Sequence, residues 1–233
     1  MMTLPQSCEC IMSLPILYSL QHCPYAMRAR MGILMAQQTV LLRAVVTKNK
    51  PAEMLTISPK GTVPVLLLSE EGQIESRVID ESLDIMLWAL AENDPQDLLY
   101  CNFPNGLSAM LALVHENDNV FKPILEKYKR ARRFSEVSEK FYRRQCEVFI
   151  NSLEQRLSGQ DYFLGDSASL ADYALLPFVR QFARVDKKWF VQAPYPRLRK
   201  WLNDFLQSPF FTRIMAKYPL WLDSHEDCLF GCR

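Results

Sequence analysis

The sequence predicts a two-part fold, a small α/β domain built on a mixed sheet followed by an all-α domain. Three observations carry this. Over about the first 90 residues, short apolar runs alternate with helical patterns. A polar stretch with two prolines, Asn93–Pro104, interrupts the alternation and reads as a linker. Beyond it the strand signal vanishes and only long helical patterns remain.

In order, Pro15–Leu20 (PILYSL) is a compact strand. From Pro24 to about Gln38, Ala26, Met27, Met31, Leu34 and Met35 recur at helical spacing, with Arg28 and Arg30 interspersed. Thr39–Val46 is β-branched and apolar, a second strand, and Pro51–Ile57 fits a short helix with proline at its opening. Val63–Leu68 and Arg77–Ile79 read as a hairpin around Glu70-Glu71-Gly72. Leu83–Ala91 closes the half as a helix with Leu83, Leu87 and Leu90 on one face. The order β-α-β, connector, β-β-α describes parallel strands joined by a crossover helix and extended by a hairpin.

Helical patterns then cover about 105–130, 135–158, 169–184, 196–207 and 209–217. Cys146, Phe149, Ile150, Leu153 and Leu157 form the inward stripe of the second of these. Ser169-Leu-Ala-Asp172 resembles a capping box with a short acid at its third helical position, and is read as structural. The expected domains are therefore residues 14–92 and 104–220.

Composition narrows the function classes. With 233 residues, 49% hydrophobic and 23% charged, the chain can bury roughly 70% of its unfolded surface and needs no disulfide or metal to fold. A net charge of +1 gives no global attraction for nucleic acid or an anionic membrane. Eight Lys or Arg between Lys127 and Arg144 are read as the solvated face of two helices around a turn near Arg133-Phe134-Ser135. No stretch approaches the roughly 18 apolar residues of a membrane span, and Met1–Ser13 lacks the basic start of a secretory signal. Seven cysteines, an odd number, suit a reducing, cytoplasmic setting. The terminal pairs Cys8/Cys10 and Cys228/Cys232 lack flanking histidines and are read as reduced thiols on mobile ends, so no metal site is expected.

The chemistry concentrates in Leu20-Gln21-His22-Cys23-Pro24-Tyr25. Cys23 follows a strand and precedes a proline suited to the first helical turn. A thiol there meets the positive end of a helix dipole, which favours the thiolate, the nucleophilic form. With Thr62-Val63-Pro64-Val65, Glu81-Ser82 and the all-helical second half, the chain resembles the glutathione S-transferases over nearly its whole length. Cys23-Pro24-Tyr25 and Lys48-Asn49-Lys50-Pro51 are most similar to the cysteine-type branches, omega-like and glutaredoxin-2-like.

That resemblance implies a thioredoxin-like domain (βαβ-α-ββα) followed by an all-helical glutathione transferase domain. It implies Cys23 as the catalytic residue and Tyr25, Lys50, Val63, Pro64, Glu81 and Ser82 as glutathione-binding residues. Pro64 would follow a cis bond, and the Val63 backbone would pair with the cysteinyl part of glutathione. Ser82 would hold the γ-glutamyl carboxylate, Glu81 would face its ammonium, and Lys50 would meet the glycyl carboxylate. Glu-Ser occurs twice: Glu75-Ser76 lies 11 residues after Pro64, near the family's usual interval, and Glu81-Ser82 lies 17 after. The later pair is preferred, because the earlier one leaves only Gln73-Ile74 as a returning strand.

Ala26 stands where a dithiol glutaredoxin carries its second cysteine, so a mixed disulfide on Cys23 would be resolved by a second glutathione. The expected activity is glutathione-dependent thiol transfer, extending to deglutathionylation or dehydroascorbate reduction. The expected partners are glutathione and a small electrophile or disulfide, in a pocket where the helical half faces Cys23. Alternatives are a binding or regulatory protein on the same fold, and a glutathione-dependent isomerase or conjugating transferase. The family also implies a homodimer, although its glutaredoxin-2-like branch is monomeric.

Overall fold

A computed structural model describes residues 14–68, 77–101, 104–134 and 136–231. The chain divides into two compact units, one formed by residues up to Pro95 together with those from Ile214 onward, the other by Gln96–Arg213. The predicted turn Glu70-Glu71-Gly72, the pair Glu75-Ser76, Ser135, Cys8, Cys10 and Cys232 lie outside the described residues.

In the first unit the strands and helices are β1 (Ile16–Ser19), α1 (Pro24–Met35), β2 (Val40–Ala44), α2 (Ala52–Ile57), β3 (Val65–Leu68), β4 (Arg77–Ile79) and α3 (Ser82–Glu92). β1 and β2 run parallel with Leu17 opposite Leu42, while β3 is antiparallel to β1 with Leu66 opposite Leu17. β4 pairs antiparallel with β3, as the hairpin pattern predicts. Parallel strands need a crossover, and α1 supplies it. On one face, Tyr18, Val45, Met54 and Val65 form a core in which Met54 is the inward residue of α2.

α1 and α3 pack together at close range. A Cβ on Gly32 would lie 2.7 Å from the Met86 backbone, so only glycine permits this approach. The buried face of α3 is Ser82, Ile85, Met86, Ala89 and Leu90, one register away from the Leu83, Leu87 and Leu90 stripe the sequence suggested. α1 departs further from expectation. It is buried on all sides from Ala26 to Met35, with Arg28 and Arg30 inside.

A short helix α4 (Trp221–Ser224) and a fifth strand, β5 (Cys228–Phe230), complete this unit. β5 pairs antiparallel with β2, placing Cys228 opposite Leu42, so Cys228 belongs to the sheet edge and not to a mobile end. Arg43 fixes the segment: it bonds Asp227 at 2.7 Å and lies 3.8 Å over the Trp221 ring. The order of the sheet is β4-β3-β1-β2-β5. Gly231, at φ +97°, ends the strand where a Cβ would fall 1.8 Å from the Gln38 carbonyl oxygen.

The second unit is helical: α5 (Gly106–Glu116), α6 (Lys122–Phe134), α7 (Glu136–Arg156), α8 (Leu170–Val185), α9 (Lys187–Gln192), α10 (Pro196–Gln207) and α11 (Pro209–Ile214), the last reaching the first unit's return segment. α5 and α6 are continuous through a π-helical turn at Asn117–Phe121. The stripe Cys146, Phe149, Ile150, Leu153 and Leu157 is buried as the spacing predicts. Its partners include Phe121, whose ring centroid lies 4.9 Å from that of Phe149. Within the basic run, three residues form ion pairs: Lys129 with Glu126, Arg132 with Glu139 and Asp186, and Arg143 with Glu147. Among the described residues no helix is long and apolar enough to cross a membrane.

Candidate active site

The site begins where β1 ends. After Ser19 the chain turns through Gln21 and His22, and the Cys23 N–H donates to the Leu20 carbonyl at 3.2 Å. Cys23 is the N-cap of α1, in extended backbone (φ −71°, ψ 124°), and Pro24 occupies the first helical turn. The Cys23 carbonyl accepts the first helical bond, from Met27 N–H at 2.8 Å. The proline therefore sits where a missing N–H costs nothing, and the thiol sits at the positive end of the helix.

Across a narrow cleft stands the Val63 backbone. The Val63–Pro64 peptide is cis, and the Cys23 thiol donates to the Val63 carbonyl at 3.7 Å. The cleft holds about 300 Å³ and is lined by Leu20, Cys23, Tyr25, Val46, Lys50 and Val63 among others. Thus four of the residues singled out from sequence, Cys23, Tyr25, Lys50 and Val63, meet in one place. Lys50 brings a cation to a wall that is otherwise mostly apolar.

Glu81 and Ser82 lie at the start of α3 and do not line that cleft. Ser82 is 2% exposed, and its Oγ accepts from Arg28 Nη1 at 3.5 Å. Glu81 is the N-cap, its side chain is 62% exposed, and it pairs with Lys60, whose Nζ also lies 4.0 Å from Asp80. Sequence reasoning did not single out Lys60, nor did it assign a role to the two buried arginines of α1. The Arg-x-Arg spacing was visible, but nothing in a helical wheel marks which charged residues are enclosed.

The other described cysteines have different settings. Cys101 is exposed, Cys228 is half-buried, and Cys146 is enclosed in the helical unit, where burial pushes its thiol up to about 12. Burial likewise raises the Cys228 thiol, with Glu226 and Asp227 adding to the effect. Cys23 alone among them stands at a helix start. Among the described residues there is no grouping of His, Cys, Asp or Glu fit to hold a metal ion.

Comparison with known proteins agrees in both halves. Residues 17–97 match the family model described as glutathione S-transferase, N-terminal domain, and residues 142–204 match glutathione S-transferase, C-terminal domain. Among curated proteins no sequence matches the chain. Solved structures with the same fold include a glutathione transferase from Pseudomonas putida with one glutathione disulfide bound per subunit, at 16% identity and TM-score 0.76, covering 89% of this chain and 93% of that one. A family member from Pseudomonas fluorescens with two glutathione bound has 16% identity and TM-score 0.74, covering 87% and 92%. Glutathione transferase Omega 3C from Trametes versicolor has 21% identity and TM-score 0.71, covering 89% and 91%.

Proposed function

The chain belongs to the glutathione S-transferase family, and from that premise we propose that it is a cysteine-type glutathione transferase performing thiol–disulfide exchange at Cys23. The observation that carries the proposal is the placement of Cys23 at the N-cap of α1, its sulfur 3.7 Å from the Val63 carbonyl oxygen and in one cleft with Lys50. Glutathione suits that cleft chemically. Its cysteinyl amide would pair with the Val63 backbone as an added strand, bringing its sulfur to Cys23. Lys50 would meet the glycyl carboxylate, and the start of α3, with Glu81 and Ser82, would take the γ-glutamyl end. Tyr25 forms the wall beside the thiol.

The exchange balances without any other oxidant. The Cys23 thiolate attacks the glutathione sulfur of a mixed disulfide, the Cys23–glutathione S–S bond forms, and the substrate leaves as a thiolate that takes a proton from water. A second glutathione thiolate attacks the glutathione sulfur held on Cys23, restoring the Cys23 thiolate and releasing glutathione disulfide. Ala26 leaves the motif without a second thiol, which supports resolution by the second glutathione. Deglutathionylation is this exchange itself. In dehydroascorbate reduction the Cys23 thiolate would add to a carbonyl carbon, one glutathione thiolate would attack the Cys23 sulfur and expel ascorbate, which takes up the protons, and a second would release glutathione disulfide. A reducing, cytoplasmic location fits both.

Incubation with oxidised glutathione followed by peptide mass spectrometry tests the reading. One glutathionyl adduct confined to Cys23 is expected, together with loss of thiol-transferase and dehydroascorbate-reductase activity in Cys23→Ser, since a hydroxyl cannot form the mixed disulfide. Full thiol transfer by Cys23→Ser would overturn it.

A further inference from the structure

Arg30 lies seven residues after Cys23, two helical turns along the same face of α1. It is 2% exposed, an uncommon position for a guanidinium. Its hydrogen bonds among the described residues go to neutral groups. Nη1 donates to Ser19 Oγ and to the Leu20 carbonyl at 3.2 Å, Nη2 to the Gln21 carbonyl at 2.6 Å, and Nε to the Ile214 carbonyl at 3.1 Å. The Leu20 carbonyl that receives Nη1 also receives the Cys23 N–H. One oxygen thus joins the buried cation to the backbone of the candidate nucleophile.

These contacts do two things. Ser19 at the end of β1 and Leu20 and Gln21 of the turn that follows are held from within by one rigid fork, which fixes how the cysteine enters α1. The Gln21 side chain adds a second tie, donating to the Met215 carbonyl at 2.9 Å. Among the described residues no carboxylate is hydrogen-bonded to this enclosed positive charge. Burial lowers the Arg30 guanidinium to about 10, and the negative charges of Cys23 and Tyr218 work against that lowering.

We propose that Arg30 is the positioning residue for Cys23, holding the turn that carries the thiol and placing a buried positive charge on the carbonyl that also receives the Cys23 N–H. The inference rests on the reading of Cys23 as nucleophile. Other titratable and charged groups surround the pair: His22 on the turn, Lys217, Tyr218 and Asp223 on the return segment, and Tyr25 and Lys50 in the cleft. Arg30 is the group that donates to the turn's own carbonyls at Leu20 and Gln21, so the test changes Arg30 alone.

Three variants separate charge from shape. Arg30→Lys keeps the charge, Arg30→Gln keeps donors for the carbonyls without charge, and Arg30→Met keeps neither. Folding is checked by thermal melting, and either neutral variant that melts cooperatively suffices. The readouts are the pH profile of Cys23 alkylation by iodoacetamide, followed by mass spectrometry, and the split between kcat and KM for glutathione in thiol transfer. The neutral variants should alkylate Cys23 about tenfold more slowly at pH 7, with the profile displaced upward by about one pH unit. Their kcat should fall while KM for glutathione changes little, and Arg30→Lys should restore most of the neutral-pH rate. A folded neutral variant with the wild-type profile and kcat overturns the proposal, as does an Arg30→Lys profile no different from that of Arg30→Gln. The two readings fail separately. An unchanged profile in a protein whose Cys23→Ser variant is inactive defeats Arg30 alone, whereas a displaced profile with active Cys23→Ser defeats the thiol-transfer function alone.

Discussion

Asp172 offers the strongest test of how the helical unit is held. Its carboxylate is fully buried and accepts four hydrogen bonds. Oδ1 takes Phe163 N–H at 3.1 Å and Trp201 Nε1–H at 3.0 Å, while Oδ2 takes Ser169 N–H at 2.9 Å and the Ser169 hydroxyl at 2.8 Å. One side chain therefore joins the loop before α8, the start of α8 and the indole on α10. Asp172→Ala would strand three donors that cannot turn away, the two backbone N–H groups and the indole N–H. Each orphaned buried donor costs about 1–3 kcal/mol, and the terms are not additive, so a loss of about 4 kcal/mol or more is expected. For a chain of this size that corresponds to a fall in Tm of roughly 10 °C. Asp172→Asn keeps one acceptor oxygen but turns an NH2 toward Ser169, so it should lie between the two. Urea unfolding followed by tryptophan fluorescence and far-ultraviolet dichroism would measure both. An Asp172→Ala protein within about 1 kcal/mol of wild type would refute the claim that this carboxylate ties the unit together.

If Ser82 and not Ser76 holds the γ-glutamyl carboxylate, Ser82→Ala should weaken glutathione binding about tenfold or more in calorimetry, from the loss of about 1.5–3 kcal/mol in a charged hydrogen bond, and Ser76→Ala should not. The reverse pattern would transfer the role to the earlier Glu-Ser pair. Cys146, with its thiol raised to about 12, should resist alkylation in the native protein at pH 8 while the exposed Cys101 reacts. The same shift fixes a sign for stability: the folded state keeps a proton the unfolded chain gives up, so this contribution is present below the ordinary thiol value of 9.0 and is lost as pH climbs toward about 12. Cys146→Ala should flatten that part of the curve, and an unchanged slope would show the thiol does not contribute. A homodimer predicts sedimentation at twice 27.1 kDa at micromolar concentration, and a species of 27.1 kDa would dismiss it.

Much of the first unit was legible because its strands are continuous apolar runs bounded by turn residues. Pro24 and the return strand Arg77–Ile79 then fixed where α1 and α3 could begin. The face of α3 was misjudged because Ile85, Met86, Leu87 and Leu90 are all apolar, so hydrophobicity alone did not choose the register. The enclosed arginines of α1 were illegible for a similar reason. Charge normally marks a solvent face, and here loop carbonyls replace the solvent around Arg30 while the Ser82 hydroxyl accepts from Arg28. β5 was missed because three residues show no alternation, and their pairing with β2 spans the length of the chain. The six-residue helix Lys187–Gln192 is too short for helical periodicity to assert itself, although Asp186 caps it by accepting from Trp189 N–H at 3.1 Å.

The return segment changes what the first unit is. Without it β2 would be an edge strand with open hydrogen-bonding groups, a liability for any sheet. β5 closes that edge, and Gly231 lets the chain run against Gln38 where no other residue would fit. The same segment reaches the chemistry from the other side: the Ile214 and Met215 carbonyls receive Arg30 and Gln21, and Leu220 bridges to Ala44 at the end of β2. Arg43 links the two roles, since it bonds Asp227 and Tyr18 while stacking on Trp221. A helix dipole alone would favour a thiolate at any cysteine placed as Cys23 is. In this chain the turn before Cys23 is also tied, through Arg30 and Gln21, to Ile214 and Met215, the start of the segment that goes on to close the sheet.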